Sequence, residues 1–481
     1  MTDPAAATEE DMSGLLRPPT LRHTIGVLDR ALFAKTVSLA AVGVADKKKI
    51  AQWRQSLQKD NTLLLAERLS SVVPHPDRTL ASQGARCLLL DPKVQPKAPD
   101  TWTPLIRDGL EKQELSMVPY DLSLDYAYWS YEEVIRCLLP PELREVDDGV
   151  PTGFNQAGHV AHLTLREKFW PHKKLIAEVL MDKNPGVRTV INKVADVGSE
   201  SEFRTFGYEV LAGDGDLGVE ARENDCVFQF DYAKVYWNSK LEGEHRRLIH
   251  LFKPGEVVCD AMAGIGPFAV PAGKRGVFVW ANDYNPESYK YLDLNIKRNK
   301  VAQYVQAFNE DGRVFIKRAA DLVYAASTSG AHALPKQKRI SRHQQQKGDT
   351  GVKGNSSNSE DKILVPPTIS HFVMNLPASA ITFLPHYRGI YAGHEQLFEP
   401  YTNAKLPMVH VHCFAAKADG EGPMLDVCER ITNELGAPIK LGDPEVPGEA
   451  AVLEIRAVAP SKRMFCASFR IPAEVAFAAR E

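Results

Sequence analysis

The sequence predicts an α/β chain: a Rossmann-like sheet of seven strands in the C-terminal half, preceded by smaller α+β domains. Three observations predict it. Val257 to Asp283, VVCDAMAGIGPFAVPAGKRGVFVWAND, reads as strand, tight turn, helix, strand, since short β-branched runs closed by small residues mark buried parallel strands. Further short apolar runs at Tyr304–Phe308, Ser370–Met374 and Met408–Ala415 alternate with helical patterns, as doubly wound sheets require. Last, Val452–Ala457 and Met464–Ile471 form a closing antiparallel pair that reverses the final strand.

Within that sheet the first turn is a ligand site. Asp260 closes the first strand, and Gly264 and Gly266 let the backbone pass close under a ligand, while Pro267 suits a first helical turn. Asp283 follows Gly264 by nineteen residues, which puts a carboxylate at the end of the second strand, within reach of ribose hydroxyls. The turn lacks the third glycine that a dinucleotide's pyrophosphate needs, so S-adenosylmethionine fits better. A glycine turn with a purely structural role is the alternative. The segment from Glu287 to Asn299 is a crossover helix, and Asp311, after the third strand, is a candidate acceptor for the adenine amino group. Arg313 to Ala326 is helical. The fourth strand ends in Asn375-Leu376-Pro377, which at the switch point offers an amide and a rigid carbonyl to a planar base edge.

Ahead of the sheet, the 481 residues divide into a flexible tail (1–20), an accessory domain (21–150), an α/β connecting domain (151–225) and the sheet domain (226–481), which carries a polar, disordered insertion at about 327–362. Ser130 and Glu133 make a capping box for a helix from Tyr131 to Leu139. The connecting block interleaves basic residues with Phe169, Trp170 and His172, a pattern for phosphates and stacked bases or for a solvated face. His159 and His162 read as packing or hydrogen-bonding side chains, not metal ligands. Lys240, Glu244 and Arg247 share one helix face.

The composition narrows the partners. A formal charge of −3 gives no global nucleic-acid signal, so any RNA surface is a local patch. Seven cysteines without a CxxC pair indicate neither a disulfide framework nor a zinc site. No run of about 18 apolar residues predicts a membrane span. The acidic start argues against a mitochondrial presequence, but translation from Met12 would expose MSGLLRPPTLRHTIGVL, which contains Arg17 and Arg22 and no acid.

Taken together, GHVAHLTLRE, the INKV stretch, EFRTFGYEVLAGD, KVYWNSKLEGEHRRL, CDAMAGIGPFAVPA, MNLPA and VAPSKRMFCASF resemble the eukaryotic and archaeal tRNA (guanine-37) N1-methyltransferase family, from about Leu21 to Pro472. The resemblance implies a class I methyltransferase domain and methyl transfer from S-adenosyl-L-methionine to N1 of guanosine 37 in tRNA. The N-terminal domains would grip the tRNA body. Glu244 matches the family's general base, and a water-poor site should raise its pKa towards neutrality. Arg204 in the matching EFR motif would stabilise the anionic base, Asn375 would orient it, and Tyr236 would assist. His245, Asp283, Tyr284, Asp311, Gly312 and Asn375 match the cofactor contacts. Lys240 stands where arginine is expected. The expected enzyme is a monomer of cytoplasm and nucleus with a mitochondrial pool. A sister aminocarboxypropyltransferase of wyosine synthesis and a non-catalytic RNA-binding protein remain the alternatives.

Overall fold

Val257–Asp260 (β1) lies inside an eight-stranded sheet whose neighbours run β3-β2-β1-β4-β5-β8-β7-β6, with β2 Phe278–Asn282, β3 Val305–Phe308, β4 His371–Met374, β5 Met408–Ala416, β6 Lys440–Leu441, β7 Glu449–Ala459 and β8 Lys462–Arg470. The strands β3, β2, β1, β4 and β5 are mutually parallel, while β8 is antiparallel to both β5 and β7. The reversed last strand is therefore as expected, and the difference from seven is the two-residue edge strand β6, parallel to β7, too short to leave an apolar pattern. All four residues of β1 and all five of β2 are buried, because helices cover both faces of a parallel sheet.

The computed structural model describes residues 14–20, 27–144, 149–194, 203, 207–334, 362–417, 420–459 and 461–480. It divides into two units. The first comprises Met1–Gly153, Leu165–Pro185 and Leu211–Gly213; the second comprises Phe154–Thr164, Gly186–Val210 and Asp214–Glu481.

In the first unit, Lys35–Val44 pairs antiparallel with Arg86–Leu89 and with Leu115–Leu124, and Val72–Pro74 extends the sheet. Trp53 and Leu57 of the helix Ile50–Lys59 and Ile106 of the helix Pro104–Glu111 fill the core with Val42, Leu88 and Leu90. The helix Tyr131–Leu138 has the expected capping box: Glu133 N–H donates to Ser130 Oγ at 3.2 Å, and Ser130 N–H to Glu133 Oε2 at 2.7 Å.

In the second unit, Val160–Leu163 pairs antiparallel with Asn155–Ala157 and parallel with Thr189–Lys193. His162 bonds the Tyr232 hydroxyl at 3.2 Å and His159 the Asp216 carbonyl at 3.0 Å, so both histidines are hydrogen-bonding residues. The polar insertion is tied at its base, where His332–Ala333 pairs with Ile363–Leu364. The rest, 335–361, lies outside the described residues, as do Met12 and Arg204.

Candidate active site

A cavity of about 360 Å³ opens over the carboxyl ends of β1 to β4, where the strand order reverses and such sheets bind ligands. Ala261 to Ile265 form its floor, Asp283 and Tyr284 enter after β2, Asp311 and Gly312 after β3, and Asn375 after β4. His245 reaches it from the helix Glu242–Leu251, and Tyr236 from the segment before that helix.

The two turn glycines do different work. Gly264 has φ +56°, its N–H donates to Asp283 Oδ2 at 2.7 Å, and a Cβ there would meet no protein atom within 4 Å, so the space above it opens into the cavity. Gly266 has φ +95°, and its Cβ would lie 2.8 Å from both Leu292 and Val270. It serves helix packing, not close ligand approach as expected. The helix begins at Ala269, two residues beyond Pro267.

Asn282, missed by the sequence reading, joins the loops: its amide donates to the carbonyls of Ala261 (3.2 Å) and Glu310 (3.0 Å), and its oxygen accepts from Glu310 N–H (2.9 Å). Asp311 caps the helix Gly312–Thr328 through Arg313 N–H at 2.7 Å. Burial raises the Asp283 carboxyl to about 6, against hydrogen bonds from Gly264 and Asn285. Burial raises fully buried Asp260 further, to about 8, with Asp283 adding to the effect. Asp260 does not line the cavity, and among the described residues its Oδ2 has no hydrogen-bond partner. A buried carboxyl with one unmatched oxygen near a nucleoside-sized cavity would ionise more readily beside a ligand that brings its own cation.

His245 is held from behind. Its Nδ1 bonds the buried Glu223 carboxylate, and its ring meets Phe268 edge-on at 4.7 Å. The partner of a ligand-facing imidazole fixes its tautomer. Glu223 precedes His245 by 22 residues, and nothing in the sequence pairs them. Phe203, whose ring lies 5.7 Å from that of Tyr284, also lines the cavity.

A second cavity of about 220 Å³ shares Tyr236, Asn238, Leu241 and Asn375 with the first. It adds Asn155, Lys240, Pro377, Phe414, Arg456, Val458 and Met464. Asn375 and Tyr236 thus stand where the two cavities meet.

Glu244 lines neither cavity. It is buried beneath them: Arg247 grips both its oxygens at 2.7 and 2.8 Å, and His412 Nε2 bonds Oε1 at 2.7 Å. The expected rise towards neutrality is therefore overturned. Burial does push this carboxyl up, but the hydrogen bonds and charges of His412 and Arg247 outweigh it and hold the group at about 2. For His412, burial opposes the charge, yet Cys466 and Glu244 raise the imidazole to about 10. Glu244, His412 and Cys466 bring three ligand atoms within 4.8 Å. A metal is nevertheless disfavoured, since His412 touches Glu244 directly and Arg247 occupies both carboxylate oxygens.

Residues 219–345 match the model of the TRM5/TYW2 methyltransferase domain, and residues 132–216 that of the TYW2 N-terminal domain. The chain is 58% identical to the tRNA (guanine(37)-N(1))-methyltransferase of Neurospora crassa over 98% of its length and 96% of that protein's. With the enzyme of the same description from Aspergillus fumigatus it shares 46% over 99% of both. Among solved structures, Trm5b from Pyrococcus abyssi matches with a TM-score of 0.55 at 21% identity, and aTrm5 in complex with tRNALeu with 0.57 at 19%, each over 90% of this chain and 99% of the other. These two likenesses show the fold.

Proposed function

The chain belongs to the tRNA (guanine(37)-N(1))-methyltransferase family, and on that premise we propose that its two joined cavities hold the two substrates, the larger S-adenosyl-L-methionine and the smaller the guanine of position 37. The observation that carries this division is Asn375, which lines both, so one side chain orients the base edge against the methyl donor. Asp283 and Asp311 suit the nucleoside's hydroxyl and amino donors, and Asp260, buried behind the cavity wall, would act on its ammonium through its charge and not by contact. When bound, the cofactor supplies a methyl group on a sulfonium, whose carbon–sulfur bond breaks with its electron pair left on sulfur as the bond to N1 forms.

The protein's work is alignment and proton removal. Guanine N1 carries a proton at neutral pH, and its lone pair is free for methylation only when a base takes that proton. Glu244 is our candidate. It lies one turn after Leu241, which lines both cavities, and next to His245. Its carboxylate is ionised throughout the physiological range, because His412 and Arg247 outweigh the effect of burial. Arg204 remains a candidate for the anionic oxygen on sequence grounds alone. Tyr236 closes the junction between the cavities.

Mass spectrometry of nucleosides from an unmodified transcript with guanine at position 37, after incubation with protein and cofactor, tests this function. Guanosine one methyl heavier, lost when adenine replaces that guanine, is the expected product. A guanosine carrying an aminocarboxypropyl group would point to the sister chemistry.

We propose further that the enzyme acts as a monomer in cytoplasm and nucleus, with a mitochondrial pool from Met12. Among the described residues no helix is long and apolar enough to cross a membrane. A Met12→Ala variant that keeps its mitochondrial signal would overturn the internal-start proposal.

A further inference from the structure

The segment VAPSKRMFCASF, residues 458–469, joins β7 to β8, and its two cations have no part in the chemistry above. The register of the two strands skips Ile455 and again Val458, then closes with Ala459 opposite Lys462. Extra residues in one strand bend and twist it. Arg456 of β7 and Phe414 of β5 both stand opposite Met464 of β8, and all three line the smaller cavity. Side chains alternate between faces along a strand, so Lys462, two residues before Met464, shares their face. Its Nζ lies 4.1 Å from the centre of the Phe414 ring, and the residue is exposed.

Around this end of the hairpin the uncompensated charge has one sign. Lys417, whose N–H donates to the Ser461 carbonyl at 2.9 Å, borders a shallow hollow of about 310 Å³ together with Arg463 and Glu454. Val458 lines both that hollow and the smaller cavity, so the two adjoin. Arg463 takes the Glu454 carboxylate at 2.6 Å. Lys417, Arg456 and Lys462 remain, and among the described residues no carboxylate pairs with any of them. Lysines and bulges also keep strand ends from pairing with other chains, but that role does not require them to gather beside a base-sized cavity.

We propose that this hairpin end holds the backbone phosphates that flank the target nucleotide, with Lys417 and Lys462 as the principal contacts. The inference rests on the assignment of the smaller cavity to guanine. A base enters such a cavity only when its nucleotide leaves the stack, and its sugar and phosphates are carried with it. Those phosphates stay ionised and lie within one nucleotide of the base, so they must meet the surface that borders the cavity. A compact ammonium on a mobile stem suits a phosphate, whose oxygens point in several directions. Arg456, half-buried on the face of Lys462, adds to the same field. Contacts of this kind supply affinity and register and do not read sequence.

The test is tRNA binding by the full chain carrying Lys417→Gln and Lys462→Gln together, and by Lys462→Arg alone, measured across a series of salt concentrations beside a methylation assay. For the double variant tRNA affinity should fall several-fold, and the slope of log affinity against log salt should become shallower by about 0.7 to 1 for each lysine removed. Affinity for S-adenosyl-L-methionine should hold, which shows the fold intact. Lys462→Arg keeps the charge and should bind tRNA as wild type does. Replacing the phosphates that flank guanosine 37 by neutral methylphosphonates should weaken binding to wild type and change little for the double variant. Equal losses in both proteins would overturn the placement, and an unchanged affinity and salt slope would remove the lysines from the interface altogether. If wild type binds the tRNA but forms no methylguanosine, the proposed function fails. If wild type forms it and the double variant keeps its affinity and slope, only this inference fails.

Discussion

Oε1 of Glu244 stands 2.7 Å from Nε2 of His412, 168 residues further along the chain, and the two are fully enclosed with Arg247 closing the other side. An anion between two cations in a dry interior is stable only as a set. Removing one member leaves uncompensated charge, so Glu244→Gln should lower unfolding free energy by about 3–5 kcal/mol. The pH dependence has a definite sign. Glu244 is depressed to about 2 from 4.5, so its contribution is present above pH 4.5 and lost as pH falls towards 2. His412 is raised to about 10 from 6.5, so its contribution is present below pH 6.5 and lost as pH rises through 10. Chemical denaturation should therefore show the largest difference between wild type and variant from pH 4.5 to 6.5. An equal difference at every pH would refute the pairing.

If Glu244 is the base proposed above, the same pair should govern turnover. Glu244→Gln should cut methyl transfer by about 10² to 10⁴ with cofactor affinity intact, and near-normal turnover would dismiss Glu244 as base. His412→Asn is the sharper variant, because it leaves the carboxylate and removes one hydrogen bond and one charge that depress it. The acidic limb of kcat should move to higher pH. A limb that stays in place while kcat falls would mean that His412 acts only by packing.

Much of this arrangement was legible in the sequence, and the rest was hidden for physical reasons. Strand periodicity and turn chemistry are local, so the order of the sheet, the capping box at Ser130 and the loop residues Asp283, Asp311 and Asn375 could be read from neighbours in the chain. Glu223 behind His245, and His412 behind Glu244, are pairings across the fold. Each looks like an ordinary strand or loop residue in its own window. The direction of the Glu244 shift failed for the same reason: the resemblance implied a water-poor site, whereas the cation from β5 could not be seen in the sequence.

Asp260 predicts a proton signature for cofactor binding. At pH 7 this carboxyl, raised to about 8, is largely protonated without ligand, and Asp283 at about 6 is partly so. A cation held in the cavity near the buried Asp260 favours its ionised form, so binding should release protons. Affinity should therefore strengthen as pH rises from 6 towards 8. Calorimetry in buffers of different ionisation enthalpy measures the release directly. Asp260→Asn should weaken binding and abolish most of it; proton release undiminished in that variant would remove Asp260 from the cofactor site.

Gly264 and Gly266 separate ligand space from packing space, and alanine at each should tell them apart. Both have positive φ, at +56° and +95°, so each alanine carries backbone strain. At Gly266 the new methyl would also press on Leu292 and Val270 at 2.8 Å, and overpacking of this kind costs about 1–3 kcal/mol. Its melting temperature should fall clearly, with cofactor affinity following only as the folded fraction declines. At Gly264 nothing of the protein lies within 4 Å of the added methyl, so the melting temperature should move less. That methyl projects into the larger cavity, and affinity for S-adenosyl-L-methionine should fall even where the protein is fully folded. If Gly264→Ala binds the cofactor as wild type does, the floor of that cavity is not where the ligand sits.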